Sequence, residues 1–181
     1  MKIWQLHYDG DTFDSLTPVK WPSPTEIRSF NGTSKVDTWI PMKVKRMHPE
    51  RKLELGDLPG LFITVFSQRA VDVLTPYIKK SVEFLPLDFP EQKFYAVNIT
   101  DIIDVIDYEA SEYITFKDRK KIMMFDKYVF KECDELLQHD IFKIIDEPVG
   151  WPFVTDRFKD IVDANHLKGF VFKLVWDSEK E

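Results

Sequence analysis

At 181 residues, with 44% hydrophobic and 14% aromatic residues, the chain carries enough apolar surface to offset the entropy of folding, which excludes intrinsic disorder and fits one domain. Its 25 Lys and Arg against 31 Asp and Glu, a formal charge of -6, repel a phosphate backbone, so no nucleic-acid partner is expected. No apolar run reaches the length of a membrane span, and a single cysteine, Cys133, excludes an internal disulfide framework, so no membrane association and a cytoplasmic setting are expected.

Lys2 to Tyr8 reads as a first strand; Gln5 and His7 interrupt it, unlike the apolar core of a leader peptide. Residues 9–35, with Pro18, Pro22 and Pro24, read as an extended loop pinned to the body by Trp21, Phe30 and Trp39. Trp39 to Met47 fits a strand, and Asp57 to Phe62 has the Pro and Gly of a turn. Ser67 is a good N-cap for a helix whose buried face is Ala70, Val73, Leu74, Tyr77 and Ile78, with Pro76 expected to kink or restart it. Val82 to Leu87 and Lys93 to Val97 suit strands, with Asn98 as a turn residue. Ile99, Ile102, Ile103 and Ile106 fall at helical spacing, with Asp101, Asp104 and Asp107 between them, and predict a short amphipathic helix. Tyr113 to Phe116, Ile122 to Phe130 and Ile141 to Ile145 are β-branched and aromatic, as strands should be.

Near the end, Val154-Thr155-Asp156-Arg157 repeats the pattern of Phe66-Ser67-Gln68-Arg69: a hydroxyl cap, an arginine two residues on, an amphipathic helix, then an apolar strand, here Phe170 to Trp176. Two copies are read as two solutions of one helix-to-strand problem, not as a duplication. Gly169 suits the positive-φ stop of the second helix. The fold class expected is a single α+β domain over residues 1–181, with a mixed or mostly antiparallel sheet and a few short amphipathic helices.

No catalytic group, metal site or cofactor site stands out. His7, His48, His139 and His166 have no partner at ligand spacing, and with 6 Gly there is little material for a phosphate cradle. Acids flank Cys133 and disfavour a thiolate. Asp9, Asp11 and Asp14 lack the central Gly and closing Glu of a calcium loop and read as solvated turn residues. Asp101, Asp104, Asp107, Glu109 and Glu112 form an acidic run without Lys or Arg, while 117–127 carries Lys117, Arg119, Lys120, Lys121 and Lys127. The run reads first as a solvated face beside a basic hairpin, and second as a negative patch that a basic protein would meet.

Phe66-Ser67-Gln68-Arg69-Ala70, then Tyr95-Ala96-Val97-Asn98-Ile99-Thr100 followed by Asp104, then Leu167-Lys168-Gly169-Phe170, stand in an order that resembles the eleventh immunity-protein family of bacterial polymorphic-toxin systems. Ile99 stands where that pattern has valine, and the resemblance covers residues 55–176. It implies a bacterial cytoplasmic protein, encoded beside a secreted toxin, that binds the cognate toxin domain and neutralises it by occlusion, with no catalytic residues to transfer. Ser67, Arg69, Asn98, Thr155, Arg157 and Gly169 are the matched positions and read as scaffold. Trp21, Trp39 and Trp151, with the acids from Asp101 to Glu112, are the candidates for contact with the partner. The alternatives are a small hydrolase whose carboxylates or histidines meet only in the fold, and a non-catalytic regulatory module. Homo-oligomerisation is left open.

Overall fold

A computed structural model describes residues 1–117 and 121–180. In chain order the elements are β1 (Lys2–Tyr8), β2 (Leu16–Pro18), α1 (Pro24–Arg28), β3 (Val44–Arg46), a 3-10 turn (Pro49–Arg51), β4 (Val65–Ser67), α2 (Gln68–Ile78), β5 (Val82–Pro86) and β6 (Phe94–Ile99). There follow β7 (Ile102–Ile103), β8 (Glu112–Thr115), β9 (Ile122–Lys127), α3 (Asp134–Leu137), β10 (Ile141–Ile144), β11 (Phe153–Thr155), α4 (Asp156–Ala164) and β12 (Phe170–Asp177). The strands form a five-stranded sheet in the order β12-β1-β11-β10-β7, a three-stranded sheet β4-β6-β5, and the pairs β2-β3 and β8-β9. Among the described residues these strands pair antiparallel except β10 with β7, and the isolated bridges Asp14–Leu55 and Lys43–Asp88 are parallel. This is the α+β, sheet-dominated architecture with short helices that the sequence predicts.

Two units of the same plan make the scaffold. In one, β4 runs into α2 and returns as β5, with β6 inserted antiparallel between the two strands. In the other, β11 runs into α4 and returns as β12, with β1 between them. The repeated sequence pattern sits at the same place in both. Ser67 and Thr155 each end a strand and cap the following helix, accepting from the amides of Ala70 and Phe158. Each cap hydroxyl donates to a buried upstream carboxylate, Ser67 to Asp57 at 2.6 Å and Thr155 to Asp140 at 3.0 Å. Those aspartates also accept from the arginine two residues beyond the cap, Arg69 and Arg157. Even the intervening residue has one job in both units, since Gln68 accepts from Tyr95 of the inserted strand β6 and Asp156 from the Lys2 amide and Trp4 indole of β1. The repeat is therefore topological and reaches the side chains.

Each helix buries a stripe, Ala70, Leu74 and Ile78 on α2 and Phe158 and Val162 on α4, but α2 buries a narrower face than expected: Val73 is half-buried and Tyr77 is exposed. The helices pack into one cluster with Leu6, Phe66, Val97, Ile141 and Val154, so a single core joins both units. A second cluster, with Ile3, Phe142, Phe153 and Trp176, fills the other face of the five-stranded sheet, and a third, with Leu16, Val44, Leu61 and Phe94, lies under the first third of the chain.

Several expectations are corrected. The isoleucine run is not a helix: β7 pairs with β10 and Ile106 bridges to Phe130. Its spacing fits a helix, but Ile99 belongs to the core shared by the helices, and Ile103 and Ile106 to the second cluster, so β-branched residues serve two cores from extended backbone. Residues 9–35 are not wholly loop, since β2 pairs with β3 and α1 carries a full capping box of Ser23 and Glu26 with Pro24 in its first turn. The strand expected from Trp39 shrinks to Val44–Arg46. Helix α2 continues through Pro76, which is exposed near its C-terminus. Asn98 is an interior strand residue, fully buried on β6. Asp14 is 1% exposed, accepts from the Ser15 and His48 amides and faces Arg46, so it is no solvated turn residue. The left-handed residue that stops α4 is His166, at φ 50°, and Gly169, at φ 85°, serves the approach to Leu58 and Gly56.

Candidate functional site

Where the two units meet the first third of the chain, two adjoining clefts open. One, of about 460 Å³, is walled by Tyr8, Trp21, Phe62 and Trp151, with Thr64, Val97 and Lys143 behind them. Its neighbour, of about 650 Å³, is walled by Trp21, Phe30, Trp39, Pro41 and Phe62. Trp21 and Phe62, with ring centroids 5.8 Å apart, border both.

Local sequence explains each wall. The capping box of α1 fixes the turn that carries Trp21, Ile27 and Phe30. Downstream, Glu83 on β5 accepts from the Ser34 hydroxyl and the Lys35 amide, while the Asn98 side chain donates to Glu83 and to the Thr33 carbonyl. Burial alone would raise the Glu83 pKa, but those donors outweigh it and hold the carboxyl below its ordinary value. The segment beyond α1 is thus tied to the three-stranded sheet. Trp39 donates its indole N–H to the Pro86 carbonyl at 2.8 Å and meets Phe30 edge-on. Trp151 packs on His7 at 4.5 Å between ring centroids and on Tyr8. A Cβ at Gly60 would strike the Tyr8 ring and the Ser15 hydroxyl, so glycine is what lets segment 60–64 close against the end of β1.

At the back of the smaller cleft lies Lys143, 5% exposed, on a strand whose other residues, Ile141, Phe142 and Ile144, are fully buried. Its ammonium donates to the carbonyls of Phe30 and Pro148, each at 3.1 Å. Among the described residues no carboxylate pairs with it, and burial pulls its pKa down to about 8. Lys20, Lys35 and Lys43 border the larger cleft against the single acid Glu26, so this face is basic on an acidic chain.

The clefts collect Trp21, Trp39 and Trp151, three of the sequence candidates, but none of the acids. Asp101 pairs with His139 at 2.5 Å, and Asp107 accepts from the Glu109 and Ala110 amides, so both are held within the fold. Asp104, Glu109 and Glu112 are exposed. Of the basic residues opposite them, Lys117, Lys121 and Lys127 are exposed, while Arg119 and Lys120 lie outside the described residues. Ser67, Arg69, Thr155 and Arg157 belong to the two caps, away from the cleft walls. Sequence reading missed Tyr8, Phe62 and Lys143; a lone lysine in the apolar run Ile141 to Ile145 was the available signal for the last. Among the described residues no three His, Cys, Asp or Glu side chains are placed to hold a metal ion, and no helix is long and apolar enough to cross a membrane.

Compared with models of known families, residues 17–177 match that of the immunity protein family Imm11, a wider span than the motifs suggested. No curated protein matches the chain.

Proposed function

The chain belongs to the Imm11 immunity protein family, and on that premise we propose that it binds a cognate bacterial toxin in the cytoplasm and neutralises it by occlusion, without catalysis. The observation that carries this reading is the family match across nearly the whole chain. The twin clefts are the best supported contact surface. Their walls bring aromatic side chains to the surface, Trp21 at 59% and Trp151 at 40% exposed, and such groups anchor protein interfaces when a partner desolvates them. The acids from Asp101 to Glu112 lie off the clefts and form a second, separate candidate: Asp101 and Asp107 have partners within the chain, whereas Asp104, Glu109 and Glu112 are exposed.

Co-expression with the toxin encoded beside this gene tests the function. The expected outcome is restored growth and a stable complex that survives size-exclusion chromatography. Cells that die despite abundant folded protein would sink the reading.

A further inference from the structure

A buried ammonium without a counter-ion is costly in a fold, because removing it from water is not offset by an opposite charge. Among the described residues Lys143 is in that state: its acceptors are two neutral carbonyls, which leaves one of its three N–H donors over, and it lines an open cleft. We infer that this cleft is a receptor for one acidic side chain of the partner toxin, presented next to an apolar residue, with Lys143 as the counter-ion. The identity of the partner as a protein rests on the function proposed above; the chemistry of the guest does not.

Three features select that guest. A lone lysine is a point charge suited to one carboxylate, whereas phosphate recognition draws on several donors and favours arginine. The walls, Tyr8, Trp21, Phe62 and Trp151, are aromatic and want an apolar body beside the charge. The volume, about 460 Å³, is within the range of small-ligand pockets and accommodates one or two side chains, not a folded element. The site also differs from the surface lysines that border the larger cleft, because Lys143 is fixed by two backbone carbonyls and cannot turn away to water.

The test uses the whole free protein and two peptides, acetyl-Ala-Leu-Glu-Ala-amide and its Gln counterpart, with binding read from the fluorescence of the tryptophans at the rim. The Glu peptide is expected to bind more tightly by about tenfold or more, as a charge-assisted contact in a desolvated site requires. That preference is expected to vanish in Lys143→Met and to fade in the wild-type protein as pH rises beyond about 8, where the lysine loses its charge. Tyr8 is the other titratable group on the cleft wall, and Tyr8→Phe should leave the fading in place. The pH series on wild-type protein decides the matter even where Lys143→Met fails to fold. Equal binding of the two peptides, or a preference that survives in a folded Lys143→Met, overturns the inference. So does binding of 3-phenylpropionate with neither peptide bound, which would give the cleft to a small carboxylate. Failed growth rescue with the Glu preference intact would remove the toxin reading alone, and rescue without the preference would remove the receptor alone.

Discussion

The two strand–helix–strand units share a plan but differ in where their middle strand comes from. In the first, β6 follows β5 after a short turn, so the unit is contiguous over residues 65–99. In the second, β1 is drawn from the opposite end of the chain to lie between β11 and β12. The anchoring carboxylates differ in a matching way. Asp140 accepts only from within its own unit, from Thr155 and twice from Arg157, among the described residues. Asp57 accepts from Ser67 and Arg69 of its own helix and also from the Lys168 amide beyond α4, while Arg69 donates to the Asn165 carbonyl at the end of α4. One cap closes a unit; the other stitches two units together.

Replacing each carboxylate is the sharpest way to break that comparison. Asp57→Ala should cost about 4 kcal/mol in urea unfolding, since it strands a buried hydroxyl and an arginine and releases the second unit, and Asp140→Ala about 2 to 3 kcal/mol. Equal costs would show that the contacts between the units contribute nothing.

Lys143 stands on β10, a strand the first unit lacks, and its effect is a matter of pH. The folded protein releases this proton at about 8, whereas the unfolded chain holds it to 10.5. Between those values the unfolded state binds more protons, so this group makes stability rise with pH, and the deficit is complete below the folded pKa. The difference between wild type and Lys143→Met should therefore grow in favour of wild type by up to about 3 kcal/mol across that window, at about 1.4 kcal/mol per unit. Burial and carboxylate partners raise the Tyr108 and Tyr128 pKa values, so these groups lower stability as pH climbs past their ordinary range, but they do so in both proteins and cancel. A flat difference would mean that the lysine is solvated in the fold.

Smaller still are the caps themselves. Ser67→Ala and Thr155→Ala should each cost about 1 kcal/mol, with the former larger because Ser67 is buried and Thr155 is not. Smallest in stability is Trp21→Ala, within about 0.5 kcal/mol because the side chain is largely in water. Its expected signature is weakened toxin neutralisation in a protein of unchanged melting temperature. An unaffected neutralisation would move the contact surface off the clefts.

The contiguous unit was the legible one. Ser67 as a cap, the stripe through Ala70, Leu74 and Ile78, and the apolar strands that follow are all local signals, and each element formed where those signals lie. The second helix was legible for the same reason. What could not be read is what crosses the chain: the insertion of β1, the pairing of Ser67 with Asp57 and of Thr155 with Asp140, and the meeting of Tyr8, Phe62 and Trp151 around Lys143. The isoleucine run failed differently, because a spacing that fits one helical face also fits alternate filling of two cores. The family pattern was visible in the later two thirds, yet its match also takes in the segment from residue 17 that builds both clefts.

The origin of β1 has a consequence in time. During synthesis β1 must wait for the much later β11 and β12 before their sheet can form, and pairings of such long sequence separation are the slow ones. The unit over residues 65–99 can assemble meanwhile from its neighbours alone. The smaller cleft takes its walls from both, Val97 from one side and Tyr8 from the other. A nascent chain therefore holds only half of this cleft until β1 has closed against β11 and β12.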